Sequence, residues 1–171
     1  MSITVEELLS KINGNQEFTT SSSDNLLKNI GAVPLSDILT ISIPLIGTVK
    51  AGYDYLAQEN WEGTVEIKKE LAKTGDFFAL KIKGDSMFET LWEGDIVAVK
   101  KQNFAENNQI VVAIINGDEA TVKMYKIIPG GIMLQSLNRK YDDLIFTEKE
   151  IKETPVKIVG VVKQIIERNF N

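Results

Sequence analysis

Two residues in this sequence carry chemistry that their neighbours do not. They are Ser86, in Gly84-Asp85-Ser86-Met87, and Lys123, in Thr121-Val122-Lys123, 37 positions later (123 − 86). A serine after Gly-Asp, where an alternating apolar run (Phe77 to Lys83) gives way to a turn, exposes both its hydroxyl and its backbone N–H. Those are the groups a nucleophile and its oxyanion hole require. Gly-Asp-Ser is also ordinary turn chemistry, so the tetrapeptide alone does not separate the two readings. The chain has no His and no Cys. That excludes a Ser-His-Asp triad, thiolate chemistry, disulfides and most zinc sites, and leaves a lysine amine as the plausible base for a serine nucleophile.

A lysine can play that part only if it is desolvated. Burial disfavours the ammonium, and the neutral amine can then take the proton of a serine hydroxyl. Alternation sets Val122 and Met124 on one strand face and Thr121, Lys123 and Tyr125 on the other, so periodicity by itself reads Lys123 as a solvated strand lysine. A third feature lies upstream. Ala51-Gly52, in Gly47-Thr48-Val49-Lys50-Ala51-Gly52-Tyr53, is a small, unhindered dipeptide whose glycine would let the Ala51 carbonyl approach a buried nucleophile. In isolation it is equally the end of a strand.

The elements that must position these residues are mostly strands. Candidates are Ile43 to Val49, Phe77 to Lys83, Asp95 to Lys100, Gln109 to Ile115, Ala120 to Ile128, Gly131 to Ser136 and Val156 to Ile166, several of them β-branched runs. Asn116-Gly117-Asp118 signals a hairpin and Pro129-Gly130-Gly131 a second turn. Helical patterning is nearly absent after residue 41, so the expected fold is mainly β, a compact domain of mostly antiparallel strands. The first forty residues differ. Val5, Leu8, Leu9 and Ile12 have helical spacing behind a possible Thr4 cap, and Asn13 to Asp24, with Ser21-Ser22-Ser23, reads as a flexible linker. One short amphipathic helix cannot bury its own apolar stripe.

Length and charge bound the partners. The 171 residues, 43% apolar and 25% charged, suit one ordinary soluble domain plus a tail. No apolar run is long enough to cross a bilayer and no signal pattern opens the chain, so a cytoplasmic protein is expected. A net charge of -5 argues against this chain gripping a nucleic-acid backbone by itself. Trp61, Trp92, Phe77, Phe78 and Phe104 read as core or dimer-contact aromatics, and Lys68-Lys69 and Lys100-Lys101 as solvated strand-end charges. Asp85, Glu93 and Asp95 lie close in sequence, but turn formation explains them without a metal.

Taken together, the three chemical features resemble the C-terminal domain of LexA-type and lambda-type phage repressors, the self-cleaving Ser-Lys peptidases that include UmuD-like proteins. The resemblance runs through Ala51-Gly52, Ile82-Lys83-Gly84-Asp85-Ser86-Met87, Gly94-Asp95-Ile96-Val97-Ala98-Val99 and Thr121-Val122-Lys123. Ser136-Leu137-Asn138, Tyr141-Asp142-Asp143 and Val159-Gly160-Val161-Val162 complete it, so that it spans about Ile43 to Ile166. It implies a LexA-like, signal-peptidase-like β domain over 41–171, with a cleavage segment at about 43–60. It also implies Ser86 as nucleophile, Lys123 as general base, the backbone N–H groups of Ser86 and Met87 as oxyanion hole, and Ala51-Gly52 as the bond cut in cis. No cofactor or metal is implied. The implied partners are a second copy of the chain, a RecA–single-stranded-DNA filament or an antirepressor protein, and operator DNA bound through an N-terminal domain absent from this chain. Residues 1–40 would then be the last helix of a helix-turn-helix domain plus a linker. Glu89 stands where the family often has proline, and charged Lys50 precedes Ala51 where a small or apolar residue is more usual.

Other readings share some of these features. They are a non-cleaving dimerisation or antirepressor-binding module, a UmuD-like polymerase subunit with a naturally short N-terminal arm, and a signal-peptidase-like enzyme acting on other chains. The lack of an apolar span and the upstream Ala-Gly bond argue against the last.

Overall fold

The computed structural model describes residues 39–47, 60–117, 120–153 and 156–168. The amphipathic segment Thr4 to Ile12 and the polar linker after it lie outside these residues. Nine strands and two short helices follow one another in the described part. In chain order they are β1 (Thr40–Ile46), β2 (Trp61–Lys68), α1 (Lys69–Ala72), β3 (Phe77–Lys81), β4 (Ile96–Lys101), β5 (Ile110–Ile115), β6 (Thr121–Ile128), β7 (Gly131–Gln135), β8 (Leu144–Thr147), α2 (Glu148–Glu153) and β9 (Val156–Glu167). They form one sheet in the order β2-β1-β3-β4-β9-β5-β6-β7-β8. Every pairing is antiparallel except β1 with β3, which run parallel with Leu45 opposite Ala79 and Ile46 opposite Leu80. The expected mainly β, mostly antiparallel fold is the one observed.

The central strands are those with unbroken apolar runs. In β5, Val111 to Ile114 are all buried, and in β4 Val97, Ala98 and Val99 are fully so. A strand covered on both faces has no reason to alternate. β9 is the longest and lies between β4 and β5, with register shifts toward both neighbours. Such irregularities add twist and bend the strand. Buried side chains accordingly fall into three clusters rather than one layer. The largest holds Phe78, Leu80, Ile82, Met87, Leu91 and Val97; a second surrounds Ala79 and Ala98, and a third surrounds Val111, Leu134 and Val161.

The turns follow the residues that require them. Asn116 and Gly117 carry φ of 55° and 82° between β5 and β6, and Gly130 has φ 77° between β6 and β7. Asn and Gly are the residues that adopt positive φ at the least cost, which is why they stand where these strands turn. The strand reading missed β2 and β8. β2 alternates over Val65 to Lys68 but is interrupted at Gly63 and buries only Ile67, and the four residues of β8 are too few to show a period. Trp61 and Phe104 are exposed, Phe104 by 63%, whereas Phe77 and Phe78 are core residues.

Gly160, at the centre of β9, has no room for a side chain. A methyl group there would strike Val99 Cγ1 and come within 2.8 Å of the Lys100 carbonyl oxygen. Gly160→Val should therefore lower stability by about 1–3 kcal/mol through overpacking. Urea unfolding measures this, and an unchanged midpoint would contradict the central placement of β9.

Candidate active site

The stretch after β3 is held as a turn from several sides. Ile82 N donates to the Asp95 carbonyl at 2.8 Å and Gly94 N to the Ile82 carbonyl at 2.9 Å, which carries strand-like pairing just past Lys81. Gly84 then turns the chain with φ +73°, a conformation that side-chain-bearing residues adopt at a cost. Phe88 N bonds the Asp85 carbonyl and Leu91 N the Met87 carbonyl. Met87 and Leu91 are sunk in the main apolar cluster and anchor the turn. Ser86 thus sits between a core anchor and Asp85, and its position is set by both. Among the described residues, neither the Ser86 nor the Met87 amide is taken up by an acceptor.

Lys123 comes from β6, flanked by β5 and β7, with Val111 opposite it and the next residue, Met124, opposite Gln135. Only 8% of Lys123 is exposed. Its Nζ lies 2.8 Å from Ser86 Oγ and 3.2 Å from the Val122 carbonyl oxygen. No carboxylate among the described residues forms an ion pair with it. Burial therefore acts unopposed and pushes the ammonium below the ordinary lysine range. As an ammonium Lys123 donates to the hydroxyl; as a neutral amine it presents a lone pair and can accept the hydroxyl proton over the same distance.

Alternation had set Lys123 on the face that suits water. The structure buries it because both faces of β6 are covered: Val122 and Met124 pack on the main cluster and Tyr125 on the third. Ser86 and Lys123 are brought together from turn and strand. The Ala51-Gly52 bond lies outside the described residues, but the chain on either side of residues 48–59 is fixed. Gly47 N donates to the Asn60 carbonyl at 3.2 Å, so the segment leaves and returns at one place. Gly47 also lines, with Lys83, Gly84, Ser86, Met87 and Val122, a cleft of about 120 Å³.

Three further groups touch the turn. Asn138 and Tyr141, on the loop after β7, bond Asp85 and the Ser86 carbonyl. Asp95, fully buried, accepts from Trp92 N at 3.0 Å and from Arg168 Nη2 at 3.1 Å. Arg168 also donates to the Thr90 carbonyl and lies 5.3 Å from the centre of the Trp92 ring, a cation–π contact. Glu93 accepts from Gly84 N. Asp85, Glu93 and Asp95 are therefore each engaged in turn bonding, and no group of three potential metal ligands occurs among the described residues. Arg168 was missed from sequence. It lies 73 positions beyond Asp95, and no local pattern links the two. No helix among the described residues is long and apolar enough to cross a membrane.

The chain has relatives among known proteins. The model of the Peptidase S24-like family matches residues 44–163. The chain is similar to the LexA repressor of Carboxydothermus hydrogenoformans, 42% identical over 128 residues that cover 72% of this chain and 61% of that protein. It is also similar to the LexA repressors of Caldicellulosiruptor saccharolyticus, 43% identical over 73% of this chain and 60% of the relative, and of Clostridioides difficile, 39% identical over 71% and 56%. The matched stretch spans about 60% of the length of these curated relatives.

Burying an amine has a stability signature. The folded pKa of Lys123 lies below its unfolded value of about 10.4, so between the two the unfolded chain binds more protons and stability rises with pH. The penalty is complete below the folded pKa and gone above the unfolded one. Lys123→Met should therefore stabilise the protein near neutral pH, and its advantage should shrink as pH approaches 10.4. Urea melts of both proteins across that range check this; an advantage independent of pH would contradict it.

Proposed function

The chain belongs to the Peptidase S24-like family as a LexA-like domain, and from that premise we propose that it cleaves its own Ala51-Gly52 bond by a Ser-Lys mechanism. The observation that carries the proposal is the 2.8 Å contact between a buried lysine amine and the Ser86 hydroxyl. Neutral Lys123 takes the hydroxyl proton as Ser86 Oγ attacks the Ala51 carbonyl carbon. The Ser86 and Met87 N–H groups receive the developing oxyanion. Collapse breaks the C–N bond, and the Lys123 ammonium returns its proton to the Gly52 nitrogen. This leaves an ester between Ser86 and Ala51 and a new N-terminus at Gly52. Lys123, neutral again, deprotonates a water that hydrolyses the ester. Each chain acts once.

The sheet supports the choice of bond. β1 pairs with β3 at a constant offset of 34 (79 − 45), Leu45 to Ala79 and Ile46 to Leu80. If the chain after Gly47 continues alongside the end of β3 in that direction, it runs toward the Gly84 turn that carries Ser86. Four residues of extended chain beyond Gly47 reach about 13 Å, enough to enter a cleft that Gly47 and Ser86 both line. Tethering substrate to catalyst makes the reaction unimolecular, and docking displaces water from Lys123.

The wider role proposed is that of the autoproteolytic and dimerisation domain, residues 41–171, of a transcriptional repressor. In this reading residues 1–40 are the last helix of a helix-turn-helix domain plus a linker, and operator DNA is bound through that domain. Cleavage is favoured when a RecA–single-stranded-DNA filament, or an antirepressor protein, shifts the segment toward its docked position. The similarity to LexA repressors supports this role.

Incubation of the purified chain at alkaline pH tests the chemistry. Two fragments should appear with first-order kinetics independent of protein concentration, the larger beginning at Gly52. Ser86→Ala and Lys123→Ala should each lower the rate by about a thousandfold or more. An intact chain after long incubation, with and without an activated RecA filament, would instead indicate a non-cleaving dimerisation module.

A further inference from the structure

The Ser86–Lys123 contact joins two elements far apart in sequence, and a third element ties them together. Asn138 Nδ2 donates to both the Asp85 carbonyl and Asp85 Oδ2, each at 3.0 Å. Asn138 N donates to the Ser86 carbonyl, also at 3.0 Å. The Tyr141 hydroxyl donates to Asp85 Oδ1 at 2.5 Å. Four hydrogen bonds from one short loop thus converge on two consecutive residues, the second of them Ser86.

That loop is cross-linked by its own hydrogen bonds. Tyr141 N bonds the Asn138 carbonyl, Lys140 N bonds Asn138 Oδ1, and Ser136 N bonds Asp143 Oδ1. Leu137 packs on the main apolar cluster. The loop continues directly from β7, whose Gln135 is opposite Met124, the neighbour of Lys123. The amine and the hydroxyl are therefore held by one short circuit: β6, β7, the 136–143 loop, then Asp85-Ser86.

We infer that Asn138 and Tyr141 are positioning residues that, through Asp85, hold the Ser86 hydroxyl at the distance Lys123 needs. The inference rests on the self-cleavage reading given above. Neither residue reaches Lys123 in the hydrogen-bond pattern, so they act on the geometry and not on the proton itself. The clasp is also made harder to titrate apart at alkaline pH. Its hydrogen bond to the Asp85 carboxylate raises the Tyr141 phenol above its ordinary range, and the same bond, followed by the charge of Lys140, holds Asp85 below the usual carboxylate range. The phenol stays a donor and the carboxylate an acceptor.

The rate of self-cleavage as a function of pH tests this, alongside labelling of the Ser86 hydroxyl by a small organophosphorus fluoridate and the melting temperature of each variant. In the intact chain, Asn138→Ala and Tyr141→Phe should each slow both cleavage and labelling by about tenfold to a hundredfold, the loss expected for a reacting group misplaced by about 1 Å. The apparent pKa of the rate should move up toward the ordinary lysine value, as water reaches Lys123 when the turn loosens. Asp85→Asn, which keeps an acceptor for the phenol, should fall between the wild type and Asp85→Ala. Wild-type rates in both loop variants overturn the inference. So does a loss that follows the melting temperature while the pH profile stays fixed, because that marks a purely structural role. A wild-type chain that is neither cleaved nor labelled overturns the self-cleavage reading itself, whereas a wild type that is active with variants equally active overturns only the clasp.

Discussion

A lysine amine buried against a serine hydroxyl, with no carboxylate to balance it among the described residues, is the constraint on which this structure turns. Taking an ammonium out of water without a partner carries a penalty of several kcal/mol, and proteins usually avoid it by pairing the charge or exposing it. Here neither happens. Burial instead lowers the pKa of the group, and once unprotonated an amine beside a hydroxyl can serve as a general base toward it. Site chemistry and local instability share one physical origin.

Holding that contact explains features that would otherwise be separate. β6 buries Lys123 because its neighbours β5 and β7 cover it from either side and apolar clusters cover both its faces. The Ser86 turn is pinned beneath by Met87 and Leu91, and laterally by Asn138 and Tyr141. Farther along, Arg168 at the end of β9 ties the Thr90 carbonyl to buried Asp95, so the long central strand also braces the turn. The scaffold is most densely bonded where the two groups meet. Beside them it leaves a cleft that starts at Gly47, the point where the chain departs toward Ala51-Gly52.

Much of this was legible in the sequence, for identifiable reasons. β4, β5 and β6 announced themselves because strands in the middle of a sheet need β-branched residues on both faces, and Asn116-Gly117 marked its hairpin because few other pairs accept positive φ twice. β2 and β8 did not, because Gly63 interrupts the alternation of the first and four residues are too few to show one in the second. The absence of His and Cys pointed to a lysine base, and the resemblance to the LexA-type pattern singled out Ser86 with Lys123. Their meeting was implied by the resemblance but not legible in the periodicity. Alternation put Lys123 on a polar face, and only the covering of that face by the rest of the sheet makes it a buried one. Asn138 and Tyr141 belonged to the recognised pattern, but their bonds to Asp85 depend on a loop 53 to 56 positions away. Arg168 left no trace at all, because an ion pair across such a separation has no sequence signature.

The protonation state of one side chain decides the account. Titration of Lys123 by NMR, with the lysine side chains isotopically labelled and Lys123→Met used to assign its signal, reads it directly. The account predicts that this amine loses its proton well before the exposed lysines do. An amine that titrates together with them, near 10.4, would contradict it.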